Sequence, residues 1–173
     1  TEAEFANAIR DQQENLRRSA QGVDPAIFDN PEVRYNLLQQ LLRERLAALQ
    51  AYEMAGLGPE DMDVVEVHDA SAMGEIIQAE NLGLVPLGGG GPAAERGEFT
   101  LGGRTPINPS GGLESKGHPL GATGIGQLYE LVTQLRGEAG ARQVEGARHA
   151  IQENGGGLQG IEEAAVAVHI LSR

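Results

Sequence analysis

Glycine divides this chain in two. Of its 25 glycines only Gly22 precedes residue 56, and the other 24 fall in the remaining two thirds of the 173 residues. Glycine weakens a helix interior and supplies turns and close backbone approaches. The distribution therefore predicts a helical front and a back built of short elements joined by tight turns.

The front follows that pattern. Phe5, Ile9, Gln12 and Leu16 recur at helical spacing, with Glu2 and Glu4 near the start and Arg17 and Arg18 near the end, charges that complement the helix dipole. Gly22 and Asp24-Pro25 break this segment, which makes residues 1–30 a helical N-terminal extension. A second helix starts after Asn30 with Pro31 in its first position and runs to about Ala55. Val33, Leu37, Leu38, Leu41, Leu42, Leu46 and Leu49 give it a broad apolar stripe, and Gly56 and Gly58-Pro59 stop it.

The back reads as alternating elements. Asp63 to Asp69 is a strand carrying Val64, Val65 and Val67, and a short helix follows from Met73 to Asn81. Residues 85–112 read as loop, with Gly88–Gly91 a mobile surface segment, and a helix is expected over residues 121–136. Residues 148–152 and 164–171 are strands that could pair as a hairpin, with Asn154 to Gly160 as its turn. This order indicates one layered α/β domain over residues 31–173, helices on a mixed sheet of three strands.

Composition removes several function classes. Thirteen basic against 25 acidic side chains leave a net charge of −12, the wrong sign for a nucleic-acid surface. With no cysteine, the chain has no disulfide, no thiolate metal site and no thiol nucleophile. Four histidines without ligand spacing predict no metal site, and no bound cofactor is expected. No apolar run approaches a membrane span and no signal-peptide pattern opens the chain, so a soluble, cytoplasmic protein is expected. The acidic residues look dispersed, as on a solvated face.

Three stretches place polar groups where packing alone would not. His68-Asp69-Ala70-Ser71 ends the first strand, where ligands gather in α/β sheets, although a solvated strand end is the plainer alternative. Asn108-Pro-Ser-Gly-Gly112, then Ser115-Lys-Gly-His-Pro-Leu-Gly-Ala-Thr-Gly124, puts His118 in a turn between Gly117 and Gly121, before a helix. Such a histidine suits a general base or an oxyanion donor, against the alternative of an exposed residue in a packing turn. A phosphate loop is excluded, because the sole lysine, Lys116, is followed by Gly117 rather than Ser or Thr. Asn154, Gly155, Gly156 and Gly157 could form an anion nest or simply a flexible hairpin loop. His149 and His169 read as ordinary strand residues.

The run from Asn108 to Gly124 resembles the C-terminal active-site motif of thiolases, enzymes that make or break a carbon–carbon bond beside an acyl-CoA thioester. Gln134-Leu-Arg-Gly-Glu-Ala-Gly-Ala-Arg-Gln-Val144 and Val65-Glu-Val-His-Asp69 are similar to the sterol-carrier and lipid-transfer branch, and the resemblance covers about residues 45–171. It implies a thiolase-like C-terminal half-domain. It also implies His118 as the base that activates a nucleophilic cysteine and polarises a thioester oxygen, His68 as the branch-specific histidine of that oxyanion site, and Gly156 as a backbone donor of a second one. Asn154, Gly155, Asn108, Gly117 and Gly121 belong to the supporting frame.

Departures from the family pattern shape the expected chemistry. The half-domain has five strands where three are read here, and the N-terminal half that carries the nucleophile has no counterpart in the sequence. The two positions that supply the acid/base thiol hold Ala70 and Asn154, neither of which can transfer a proton as cysteine does. The resemblance then implies a retro-aldol cleavage of a β-hydroxyacyl-CoA rather than thiolytic transfer, as in thiolase-like aldolases of steroid side-chain degradation. A non-catalytic binding or scaffold module is the alternative. The implied partners are an N-terminal thiolase half or homologous subunit, a homo- or hetero-oligomer, and a small OB-fold protein in the aldolase variants. The chain is expected to be inactive alone.

Overall fold

A computed structural model describes residues 30–159 and 162–173; the side chains of residues 32–42 and 158–164 are outside the description. The helix expected within residues 1–30 also lies outside the described residues.

Helix α1, Pro31–Ala55, has the limits read from the sequence, and it ends where Gly56 takes a φ of +66°. Its described side chains, from residue 43 on, show which face is buried over that part of the helix. Glu44, Ala48 and Tyr52 turn inward, while Leu46 and Leu49 are exposed. Polar anchoring accounts for this: the Glu44 carboxylate accepts from the Asn81 side-chain amide, and the Tyr52 hydroxyl donates to the Leu82 carbonyl at 3.0 Å. Both partners sit at the end of helix α2, Ala72–Asn81, whose N-cap is Ser71, its Oγ accepting from Gly74 N at 3.1 Å.

Strand β1, Val64–Glu66, is fully buried and pairs in parallel with β2, His149–Gln159. Strand β2 pairs antiparallel with β3, Glu162–Ser172, giving the order β1-β2-β3. β1 is shorter than the expected 63–69. Beyond Glu66 the backbone is held by side chains instead of a neighbouring strand: Asn108 Oδ1 accepts from Val67 N at 2.8 Å, and Glu153 Oε2 accepts from His68 N at 3.0 Å. The outer edge of β1 is covered by residues 106–108, which bridge Val65 to Ile107 and bond Val65 N to Pro106 O at 3.0 Å.

The glycine run Gly155–Gly157 is not the hairpin turn. It lies inside β2, where Gly155 faces Val166 and Gly156 faces Ala165. Ladder bonds use only backbone, so Val166, Val168 and Ile170 of β3 can hold a side-chain-free stretch in register. Gly88–Gly91 is not a mobile loop either. Gly90 is buried, opens helix α3 (Gly90–Glu95) and donates its N–H to Glu80 Oε1 at 2.9 Å. A Cβ at Gly90 would come within 2.7 Å of Ile76 Cγ2, so only glycine fits against α2. Helix α4, Gly112–Lys116, was not anticipated, whereas α5, Thr123–Arg136, was.

The sheet separates two cores. On one side Val65, Val67 and Ile151 pack with Ala79, Leu82, Phe99, Ile107 and Tyr52. On the other, Val64 and Ala150 pack beneath Leu131 and Leu135 of α5. The fold is thus a layered α/β domain with helices on both faces of a mixed sheet.

Candidate active site

The site lies where β1 ends. Residues 64, 66 and 68 alternate onto the α5 face of the sheet, as do residues 150, 152 and 154 of β2 in the same parallel register. His68 and Asn154 therefore share that face, at the N-terminal end of α5. The loop before α5 brings His118 to the same place: its ring centroid lies 4.9 Å from that of His68, with the planes tilted by 51°.

Both imidazoles are oriented through Nδ1. His68 Nδ1 lies 3.0 Å from Gly155 O, a carbonyl that can only accept, so the neutral ring carries its proton on Nδ1 and its lone pair on Nε2. His118 Nδ1 lies 2.7 Å from Thr123 Oγ1, whose hydroxyl donates to Pro119 O at 3.3 Å. Thr123 therefore accepts from His118, and this ring too keeps its Nε2 lone pair. Gly117 and Gly121, at φ +85° and +80°, let the chain turn sharply on either side of His118.

Behind the histidines the frame is rigid. Asp69 is buried and accepts from Leu113 N at 2.6 Å, with Glu114 N at 3.5 Å, so its carboxylate caps α4 from another part of the chain. Gly112, at φ +61°, lies so close to that carboxylate that no Cβ would fit. Asn108, at φ +49°, takes Val67 N on Oδ1 and donates from Nδ2 to Glu75 Oε2 at 3.3 Å. It is a brace for the strand end. Burial, then the Asp69 carboxylate, hold the Glu75 carboxyl above the usual range, against the lowering bond from Asn108.

A buried carboxylate beneath α5 joins this frame. Glu66 Oε2 accepts from Ser110 Oγ at 2.7 Å, and Lys116 Nζ donates to the same Oγ at 2.5 Å while standing 3.8 Å from Glu66 Oε2. Burial pushes Glu66 up to about 7, and Ser110 and Lys116 only partly offset it. Glu66, Glu153, Glu44, Glu80 and Glu130 are all buried, so the acidic residues are not merely a dispersed, solvated set. A legible signal was present in part: Glu66 interrupts a run of buried valines, and Glu153 follows Ala-Ile-Gln in a core strand. The capping by Asp69 and the role of Glu153 depend on contacts 44 and 85 residues away, which no local pattern carries.

The residues expected at the site thus divide. His68, His118, Asn154 and Gly155 come together, Gly117 and Gly121 flank His118, and Asn108 supports β1. Gly156 is exposed and paired with Ala165. His118 is exposed, and so is the whole run of residues 114–122.

Over residues 35–173 the sequence matches the family described as thiolase C-terminal domain-like. The chain belongs to that family. Sterol carrier protein 2 of Rattus norvegicus is 52% identical over 130 residues, 75% of this chain and 23% of that protein. An acetyl-CoA acetyltransferase of Methanothermobacter thermautotrophicus is 54% identical over 127 residues, 73% of this chain and 32% of that protein. The benzoylsuccinyl-CoA thiolase subunit BbsB of Thauera aromatica is 44% identical over 98 residues, 57% of this chain and 26% of that protein. Among solved structures, a chain of the Ltp2-ChsH2(DUF35) aldolase superposes with a TM-score of 0.60 at 22% identity, over 75% of this chain and 31% of that one, a likeness of fold. The chain spans about a quarter to a third of the length of these relatives. No helix among the described residues is long and apolar enough to cross a membrane.

Proposed function

We propose that this chain supplies the two-histidine half of a thiolase-like site that cleaves β-hydroxyacyl-CoA thioesters by retro-aldol chemistry. The observation that carries the reading is the pair of rings 4.9 Å apart, each with Nδ1 committed to an acceptor, in a site without a thiol.

The roles follow from that wiring. His118 Nε2 takes the proton of the substrate's β-hydroxyl. The Cα–Cβ bond breaks, Cβ becomes a free carbonyl, and the bonding pair moves into a thioester enolate. The enolate then takes the proton back on Cα, leaving a shortened acyl-CoA, so that atoms and charge balance without an acyl-cysteine. The enolate oxygen needs donors. His68, whose Nδ1 proton is held by Gly155 O, donates from Nε2 only as imidazolium. A backbone donor is assigned to Gly155 rather than Gly156: in an antiparallel ladder a residue's N–H and C=O point the same way, and Gly155 O points to His68 while Gly156 pairs toward β3.

The substrate is a coenzyme A thioester, with no bound cofactor. Exposure of residues 114–122 supports the need for a cover, because such donors act strongly only in a water-excluded site. The exposed apolar residues Leu120, two residues from His118, and Ile125 and Tyr129 on α5 suit packing against the rest of a thiolase fold, from an N-terminal half or a homologous subunit. The small OB-fold partner and the steroid-type acyl group implied by the family resemblance belong to this reading. The same exposure favours one second reading, a binding module akin to the sterol-carrier relatives.

The test is turnover of β-hydroxyacyl-CoA by the chain, alone and with a subunit carrying the rest of the fold. Release of carbonyl product with the cover present is expected, and His118→Ala should lower it by roughly 10²–10⁴-fold. Consumption of β-ketoacyl-CoA with free CoA instead would replace the retro-aldol step, and binding without any turnover would leave the binding module.

A further inference from the structure

Asn154 carries a donor that the fold does not use. Its Nδ2 is buried and has no hydrogen-bond partner among the described residues. Gln152, two residues earlier on the same sheet face, is the opposite case: Oε1 accepts from His169 Nδ1 at 2.7 Å, and Nε2 donates to Gln127 Oε1 at 2.8 Å. An amide left without a partner in such a place is destabilising, so a stable fold retains one where a ligand or water completes it.

The helix end beside it orients the amide. Its Oδ1 lies against Gly124 in the first turn of α5, 3.3 Å from where a Cβ would stand. The positive end of a 14-residue helix favours the carbonyl oxygen there and turns Nδ2 away from it. The side chain shares the face of His68, and the next residue's carbonyl is the acceptor of the His68 ring.

We infer that Asn154 Nδ2 is a further oxyanion donor of this site, aimed at the thioester oxygen of a bound acyl-CoA. The inference rests on the acyl-CoA reading above. An amide cannot relay a proton, so Asn154 holds the developing charge and leaves proton transfer to His118. Where thiolases of other branches have an acid/base thiol, this chain has a fixed hydrogen-bond donor, which suits a reaction that makes an enolate without an acyl-enzyme.

The test is NMR of the full chain, labelled at asparagine side-chain amides and histidine rings, titrated with acetoacetyl-CoA. The Asn154 amide protons should move with the His68 and His118 rings on one isotherm. Asn154→Asp, equal in shape but without the donor, should raise Kd at least tenfold, and in the covered assembly should lower kcat by roughly 10²–10³-fold. If the rings move while the Asn154 amide stays still, or Asn154→Asp binds unchanged, Asn154 is no donor and the two-histidine reading stands. If neither rings nor amide respond, both fall. Should Asn154→Asp not fold, the wild-type titration still decides.

Discussion

The floor of the site and its rim obey different rules. On the floor, Asp69, Glu66, Asn108 and Glu153 are buried and hydrogen-bonded to backbone or hydroxyl groups 41 to 85 residues away. On the rim, residues 114–122 are exposed, and Leu120, Ile125 and Tyr129 show 84%, 69% and 72% of their surface to solvent. The floor fixes where His68 and the α4 loop stand. The rim offers an exposed histidine and exposed apolar surface. On the proposed function, the floor preorganises the site and another part of the protein closes it.

Two glycines test that contrast most sharply. Gly112 and Gly117 both have positive φ, +61° and +85°, but a Cβ at Gly112 would enter the Asp69 carboxylate, whereas nothing lies within 4 Å of one at Gly117. Gly112→Ala combines backbone strain with overpacking and should cost about 4 kcal/mol in urea unfolding. Gly117→Ala carries strain alone and should cost about 1 kcal/mol. Equal losses would mean that the floor yields as easily as the rim.

Glu66 gives the floor a pH signature. Its carboxyl is raised from 4.5 to about 7, so the folded state binds this proton more tightly than the unfolded chain does. The linked stability is fully present below pH 4.5 and is lost as pH rises through about 7, by about 3 kcal/mol in all. Glu75 is raised as well and has the same sign. The informative quantity is therefore the difference between wild type and Glu66→Gln, followed by unfolding between pH 4 and 8. The difference should grow in favour of the variant with pH; a flat difference would place Glu66 in contact with water.

The sequence was most readable where local pattern and burial coincide. Helix α1 has the limits set by Pro31 and Gly56, and α5 follows its glycine-marked turn, because caps and breakers act within a few residues. The three strands and the layered α/β class were readable for the same reason. Buried polar partners decided what was not. Among the described side chains of α1, Leu46 and Leu49 are exposed while Glu44 and Tyr52 have partners at the end of α2 and face inward. The glycines of β2 looked like a turn because propensity ignores the ladder that β3 supplies. At the site, His68 and His118 stood out through motif and turn chemistry. Glu153 and the α4 cap did not, since they act through contacts 85 and 44 residues away.

The rim yields the smallest effect in the isolated chain and the clearest test of a cover. Leu120 is almost wholly exposed, so Leu120→Ser should change the stability of the chain by less than about 0.5 kcal/mol. If the rest of a thiolase fold packs on this face, the same side chain becomes buried, and burial of a leucine is worth roughly 2 kcal/mol. Leu120→Ser should then weaken association with the covering subunit more than tenfold while leaving the chain's own unfolding curve in place. Met54 of α1 is exposed to 89% and lies on another element, so Met54→Ser serves as the matched control. A rim variant that binds the cover as well as the control does would separate this apolar surface from closure of the site, and the exposed histidine would need its water excluded by some other face.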